Sequence, residues 1–100
     1  MDIVLQVDYE QDLAKVHDIL AGIARENPWS LDEPEPVIMF NEFKESGIEM
    51  MLGLWFAKTD FTDLKNSIMT DIATRFTREG IRFAHPNRVV RVVEGPDLTS

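Results

Sequence analysis

The chain has 100 residues, 44% hydrophobic and 28% charged, which suits one globular domain built around one core. Eighteen acidic against ten basic residues give a net charge of −8, which leaves no basic stripe for nucleic acid. The lack of cysteine excludes a disulfide scaffold and a thiolate metal site and fits a reducing compartment, and Met1-Asp2 leads straight into a strand-like run with no signal-peptide pattern.

Asp2 to Val7 alternates, with Ile3, Leu5 and Val7 on one side and Val4 on the other, and reads as a first strand. Asp8-Tyr9-Glu10-Gln11 resembles a capping box, with Asp8 as the cap of a helix. Leu13, Val16, Ile19, Leu20, Ile23 and Ala24 recur at helical spacing to about Glu26, where Asn27-Pro28 ends the helix. His17 lies at the edge of that apolar stripe. With no second titratable partner beside it, it reads as a half-buried structural histidine rather than a ligand or base.

Asp32-Glu33-Pro34-Glu35-Pro36 places three carboxylates in five residues. A calcium loop needs a glycine turn and a distal Glu, so the stretch reads as a stiff, solvated connector. Trp29 and Leu31 are expected to close over the end of the first helix. Val37 to Phe43 reads as a second strand, with Phe40 on one side and Val37, Met39 and Phe43 on the other. Lys44-Glu45-Ser46-Gly47 is a connection of hairpin length, which makes the next strand an antiparallel neighbour.

That next strand contains eight uncharged residues, 50–57. The run is far short of the about 20 residues that cross a bilayer, and Gly53 in its middle disfavours a helix. It reads as a strand buried on both faces. Ile48, Met50, Leu52, Leu54 and Phe56 point one way; Met51, Gly53, Trp55 and Ala57 point the other, where only Glu49 is charged. Asp60 then caps a second helix whose buried face is Phe61, Leu64, Ile68, Ile72 and Phe76. Arg75 and Arg78 suit its negative end, and Gly80 its C′ position. Ile81-Arg82-Phe83-Ala84 reads as a short fourth strand, His85-Pro86-Asn87 as a break, and residues 88–94 as one further, valine-rich strand.

The expected fold is therefore α+β: a ferredoxin-like βαββαβ sandwich, an antiparallel sheet with two helices on one face, plus an extra C-terminal strand. The expected division is a domain over 1–86, an oligomerisation strand over 87–95 and a disordered tail over 96–100. Two helices cover one face of the sheet. The Met51 and Trp55 side, and the valines after the break, then call for other chains as cover.

The sequence offers no catalytic residue, metal ligand set or cofactor site. It has no glycine-rich phosphate loop, no metal-spaced histidine pair and no cysteine, and Ser30, Ser46, Ser67, Ser100 and His85 suggest no triad. An acylphosphatase of the same topology would need an Arg-bearing glycine-rich loop after the first strand, where this chain has Val7-Asp8-Tyr9-Glu10. The alternative kept open is a small-molecule-binding regulatory module of this fold, although the glycine turn it would use is also missing.

Four stretches occur in register: Val7-Asp8-Tyr9-Glu10-Gln11-Asp12, Glu33-Pro34-Glu35-Pro36-Val37, the Trp55 strand, and residues 79–88 from Glu79-Gly80-Ile81 to Pro86-Asn87-Arg88. Together they resemble the C-terminal cytoplasmic α/β domain of the small-conductance mechanosensitive channel (MscS-type) family, over nearly the whole chain. Ala84 departs from the pattern, since family members usually carry proline there. The resemblance implies a homoheptamer at the cytoplasmic face of the inner membrane, opened by tension to release solutes in hypo-osmotic shock. Its pore helices and middle domain would lie upstream of this chain, which by itself would insert in no membrane and act as no enzyme. It also implies that Val89, Val90, Arg91, Val92 and Val93 join counterpart strands in a barrel at the floor of a cytoplasmic cage. With Met51 and Trp55 they form the expected oligomer interface.

Overall fold

The computed structural model describes residues 1–84 and the backbone of a strand at Arg91–Val93. Strand β1 spans Asp2–Val7, helix α1 Leu13–Glu26, β2 Val37–Phe43, β3 Ile48–Gly53, α2 Phe61–Glu79 and β4 Arg91–Val93. The sheet order is β2-β3-β1-β4 with every pairing antiparallel, which makes an α+β fold of the expected element order.

Alternation decides which side of the sheet the helices cover. Ile3, Leu5 and Val7 of β1 stand opposite Leu52, Met50 and Ile48 of β3, and all six are buried. Against them pack Val16, Ile19, Leu20 and Ile23 from α1 and Leu64, Ile68, Ile72 and Phe76 from α2, forming one continuous core. Phe61, expected in that face, is only half-buried: it sits at the first position of α2 and tilts against Phe56, with ring centroids 5.9 Å apart.

The helix starts differ from expectation. Asp8 does not cap α1; its carboxylate accepts the Glu10 N–H at 2.9 Å and so closes a turn ahead of the helix. Asp12 is the cap, accepting the N–H groups of Ala14 and Lys15 at 3.1 and 3.2 Å. Helix α2 follows a 3-10 turn over Lys58–Asp60, and Asp60 takes the cap position without a side-chain cap bond. Gly80 ends α2 with φ of 72°, the left-handed conformation that favours glycine there.

At its C-terminal end α1 is tied down by a buried polar cluster. Asn27 is 3% exposed; its amide nitrogen donates to Ser67 Oγ at 2.8 Å and Asp71 Oδ2 at 3.2 Å, while its oxygen accepts the Trp29 N–H at 2.9 Å. Arg75 donates to Glu26 at 2.8 Å beside it, so the two helices are joined by polar as well as apolar contacts. Trp29 packs against the core as expected, whereas Leu31 remains 42% exposed.

The expected fourth strand at 81–84 is reduced to a single bridge, Phe83 to Val7. Two bonds flank it: Asp8 N–H to the Arg82 carbonyl at 3.2 Å and Ala84 N–H to the Gln6 carbonyl at 2.9 Å. Further along the same edge of β1, Arg91–Val93 pairs with Val4, Ile3 and Asp2 as the fourth strand of the sheet. The described residues hold no fifth strand. Val89, Val90, the 86/87 boundary and the tail at 96–100 lie outside the described residues.

Candidate functional site

The face of the sheet turned away from the helices is where Met51 and Trp55 were expected to be covered. Among the described residues neither is fully covered. Met51 is half-buried, and Trp55, just past the end of β3, is 43% exposed while its carbonyl accepts the Leu31 N–H at 2.9 Å. Sheet register adds three residues that the sequence reading had placed on strands but not at the site. Val4 and Met39 lie on either side of Met51 in one row across the sheet, and Val37 lies beside Gly53 in the next. Met39 and Val37 are both exposed. The missing side chain of Gly53 draws this surface together: a Cβ there would lie 3.8 Å from both Met51 Cε and Val37 Cβ. The signal was present in the alternation of β1 and β2, but needed the cross-strand register to be read as one surface.

The apolar strip ends abruptly. The next row is Gln6, Glu49 and Glu42. Lys44 Nζ lies 2.6 Å from Glu42 and 4.0 Å from Glu49, and Asn41 donates to Glu49 at 3.2 Å. An apolar patch with a polar border is the pattern of a surface covered by another chain.

The second edge of interest is β2. Phe43 was expected beside Val37 and Met39, and this is corrected by a bulge: pairing runs Phe40 to Met50, then skips Asn41 before Glu42 to Glu49 and Phe43 to Ile48. Met50 and Ile48 both face the core, so Phe40 and Phe43 share the helix side of the sheet. Both remain exposed, at 44% and 76%. The tip of this hairpin is held close to the rest of the chain. Tyr9 stacks on Phe43 with centroids 6.3 Å apart and its hydroxyl donates to the Lys44 carbonyl. Gly47 is required by close approach: a Cβ there would strike the Val7 carbonyl and lie 2.7 Å from Ala84 Cβ.

Among the described residues, those weighed for chemistry are dispersed; His85 and Ser100 lie outside them. His17 stacks on Phe40 with centroids 6.2 Å apart and lies 3.7 Å from the Asp18 carboxylate. Ser67 is occupied by Leu64 and Asn27, and Asp32, Glu33 and Glu35 are all exposed on their connector. Among the described residues no three His, Cys, Asp or Glu side chains group closely enough to hold a metal ion, and no helix is long and apolar enough to cross a membrane.

Comparison with known proteins matches residues 1–83 to the family model described as mechanosensitive ion channel MscS, C-terminal. An uncharacterized MscS family protein of Archaeoglobus fulgidus is 29% identical over 87 residues, covering 87% of this chain and 31% of that protein. An uncharacterized MscS family protein of Synechocystis sp. is 27% identical over 94 residues, covering 94% of this chain and 32% of that protein. The chain thus spans about a third of the length of these relatives. With the match covering β1 through the Phe83 bridge, the chain belongs to the family of MscS-type mechanosensitive ion channel C-terminal domains.

Proposed function

We propose that this chain is the C-terminal part of a channel subunit whose copies assemble, as a heptamer, into a cytoplasmic cage below a tension-gated pore at the inner membrane. The cage passes solutes as the channel opens in hypo-osmotic shock. The observation that carries this reading is the family match over residues 1–83. The open face of Val4, Val37, Met39, Met51 and Trp55 supports it, because an apolar strip of this kind gains stability when a neighbouring copy covers it. In this reading the domain has no reaction to catalyse; its work is packing.

Residues 89–93 are the second contact in the same proposal. In the single chain Arg91–Val93 rests on β1 through three register pairs. In the cage the segment exchanges that short attachment for its counterparts in the other subunits and closes a barrel, in which the segment itself has no free edge.

Light scattering on the full-length protein in detergent, wild type and Met39→Asp, tests the assembly. The expected result is a sevenfold subunit mass for wild type and a smaller or mixed mass for the variant. A wild-type monomer overturns the proposal, and an unchanged heptamer in the variant removes the open face from it.

A further inference from the structure

On the helix side of β2, away from the open face, two stacked ring pairs stand in line. Tyr9 lies against Phe43 with an interplanar angle of 20°, and His17 against Phe40 with 26°. The bulge at Asn41 is what aligns them, since residues three apart on a regular strand point to opposite faces. Phe43 has the greatest exposure of the exposed large apolar side chains, at 76%. Its neighbour is fixed at both ends, by the ring stack and by the Tyr9 hydroxyl on the Lys44 carbonyl, so the platform is set before anything binds.

The surroundings of the platform are acidic. Segments 8–18 and 40–49 carry seven carboxylates against two lysines. Arg82 reaches Glu10 at 3.1 Å and Asp8 at 3.8 Å, and Lys44 reaches Glu42, while Asp18 and Glu45 are exposed. Aromatic faces are electron-rich, so rings and carboxylates favour the same sign of ligand. A second copy docking by this same face would bring the same carboxylates against these, and an anionic partner is repelled by rings and carboxylates alike.

We infer that Tyr9, His17, Phe40 and Phe43 form a docking platform for a basic segment of another polypeptide, with an arginine guanidinium laid over the Phe43–Tyr9 pair. Arginine fits better than lysine, because its planar cation stacks on rings and is more weakly hydrated. The proposal is separate from assembly through the open face, because the platform lies on the other side of the sheet.

The test is an NMR titration of the isotope-labelled 100-residue chain with a short peptide of alternating arginine and glycine. A lysine-glycine peptide and the Phe43→Ser variant, whose net charge is unchanged, serve as comparisons. The expected result is shifts centred on Tyr9, His17, Phe40 and Phe43, and weakening of roughly tenfold in Phe43→Ser, the scale of one partly desolvated cation–π contact. Circular dichroism of Phe43→Ser should match wild type, since the ring is mostly outside the fold. Equal affinity in Phe43→Ser, with shifts spread to Asp32, Glu33 and Glu35, means charge attraction without a platform and overturns the inference. Concentration-dependent shifts of the same four residues without peptide make a second copy the occupant, and overturn it equally.

Discussion

Trp55→Ala separates what this domain does alone from what it does in an assembly. A tryptophan presents about 250 Å². At 43% exposure, on the order of 100 Å² of Trp55 remains open to water in the single chain. Truncation in the isolated chain should therefore cost about 2 kcal/mol, below the ~3–5 kcal/mol of a fully buried tryptophan. The backbone bond from Leu31 to the Trp55 carbonyl survives the substitution, so local unravelling should not add to that figure. If a neighbouring copy covers the remaining surface, the assembled form loses up to about 2.5 kcal/mol more per subunit, at about 25 cal/mol/Å². That is an upper figure, because ordering at an interface subtracts from area-based gains.

Two assays read these two parts. Urea denaturation of the 100-residue chain, followed by circular dichroism, gives the first, and the concentration at which the full-length assembly dissociates gives the second. A loss of about 2 kcal/mol in the chain with at least a tenfold weaker assembly is the expected pair. A loss of 4 kcal/mol or more in the chain would mean that the indole is covered internally, against its observed exposure. An assembly of unchanged stability would refute the reasoning that the open face is a contact between copies.

Three further substitutions probe the frame that holds these surfaces. Asn27→Ala removes three side-chain hydrogen bonds at a buried helix end and leaves the Trp29 N–H without its acceptor; thermal denaturation should show a loss of about 2–3 kcal/mol, and Ser67→Ala a smaller one, because Asp71 still accepts from Asn27. Gly47→Ala drives a methyl into the Val7 carbonyl and Ala84, so the chain should lose about 2–3 kcal/mol or fail to fold cooperatively in urea, whereas a neutral result would deny the close approach. Ala84→Pro deletes the N–H donated to the Gln6 carbonyl; a drop of about 1–2 kcal/mol is expected, and hydrogen exchange at the neighbouring Asp8 N–H should speed up.

Most of the interior was readable because burial imposes a period. The spacing of Val16, Leu20 and Ile23, and of Leu64, Ile68, Ile72 and Phe76, can only be a helix stripe, and Ile3, Leu5 and Val7 only a strand face. Local chemistry was less decisive. Asp8 and Asp12 are the same side chain four residues apart, both able to cap a helix, and the choice fell to Asp12 because Asp8 was already engaged in the turn closed by Glu10. The uncharged run at 50–57 did not distinguish a strand covered on both faces from one with an apolar face left open, since composition is the same in either case. The short attachment of Arg91–Val93 was similarly hidden: valines state a preference for pairing but name no partner.

The bulge at Asn41 had no sequence signature, yet it decides the chemistry of both surfaces. Without it, strict alternation would set Asn41 opposite Glu49 and place Phe43 on the open face with Val37 and Met39, at the hairpin tip. The extra residue turns Phe43 over to join Phe40 and puts Glu42, instead of Asn41, opposite Glu49. One backbone irregularity thus ends the apolar strip at a charged row and, on the reverse side, gathers two exposed rings beside Tyr9 and His17. Deleting Asn41 removes the bulge but keeps this phase, since Phe40 and Phe43 become two apart on one face with Glu42 between them: both surfaces, and the arginine-peptide shifts, should survive the deletion. Loss of the shifts, or increased self-association, would show that the bulged backbone itself, and not the phase of the strand, shapes these surfaces.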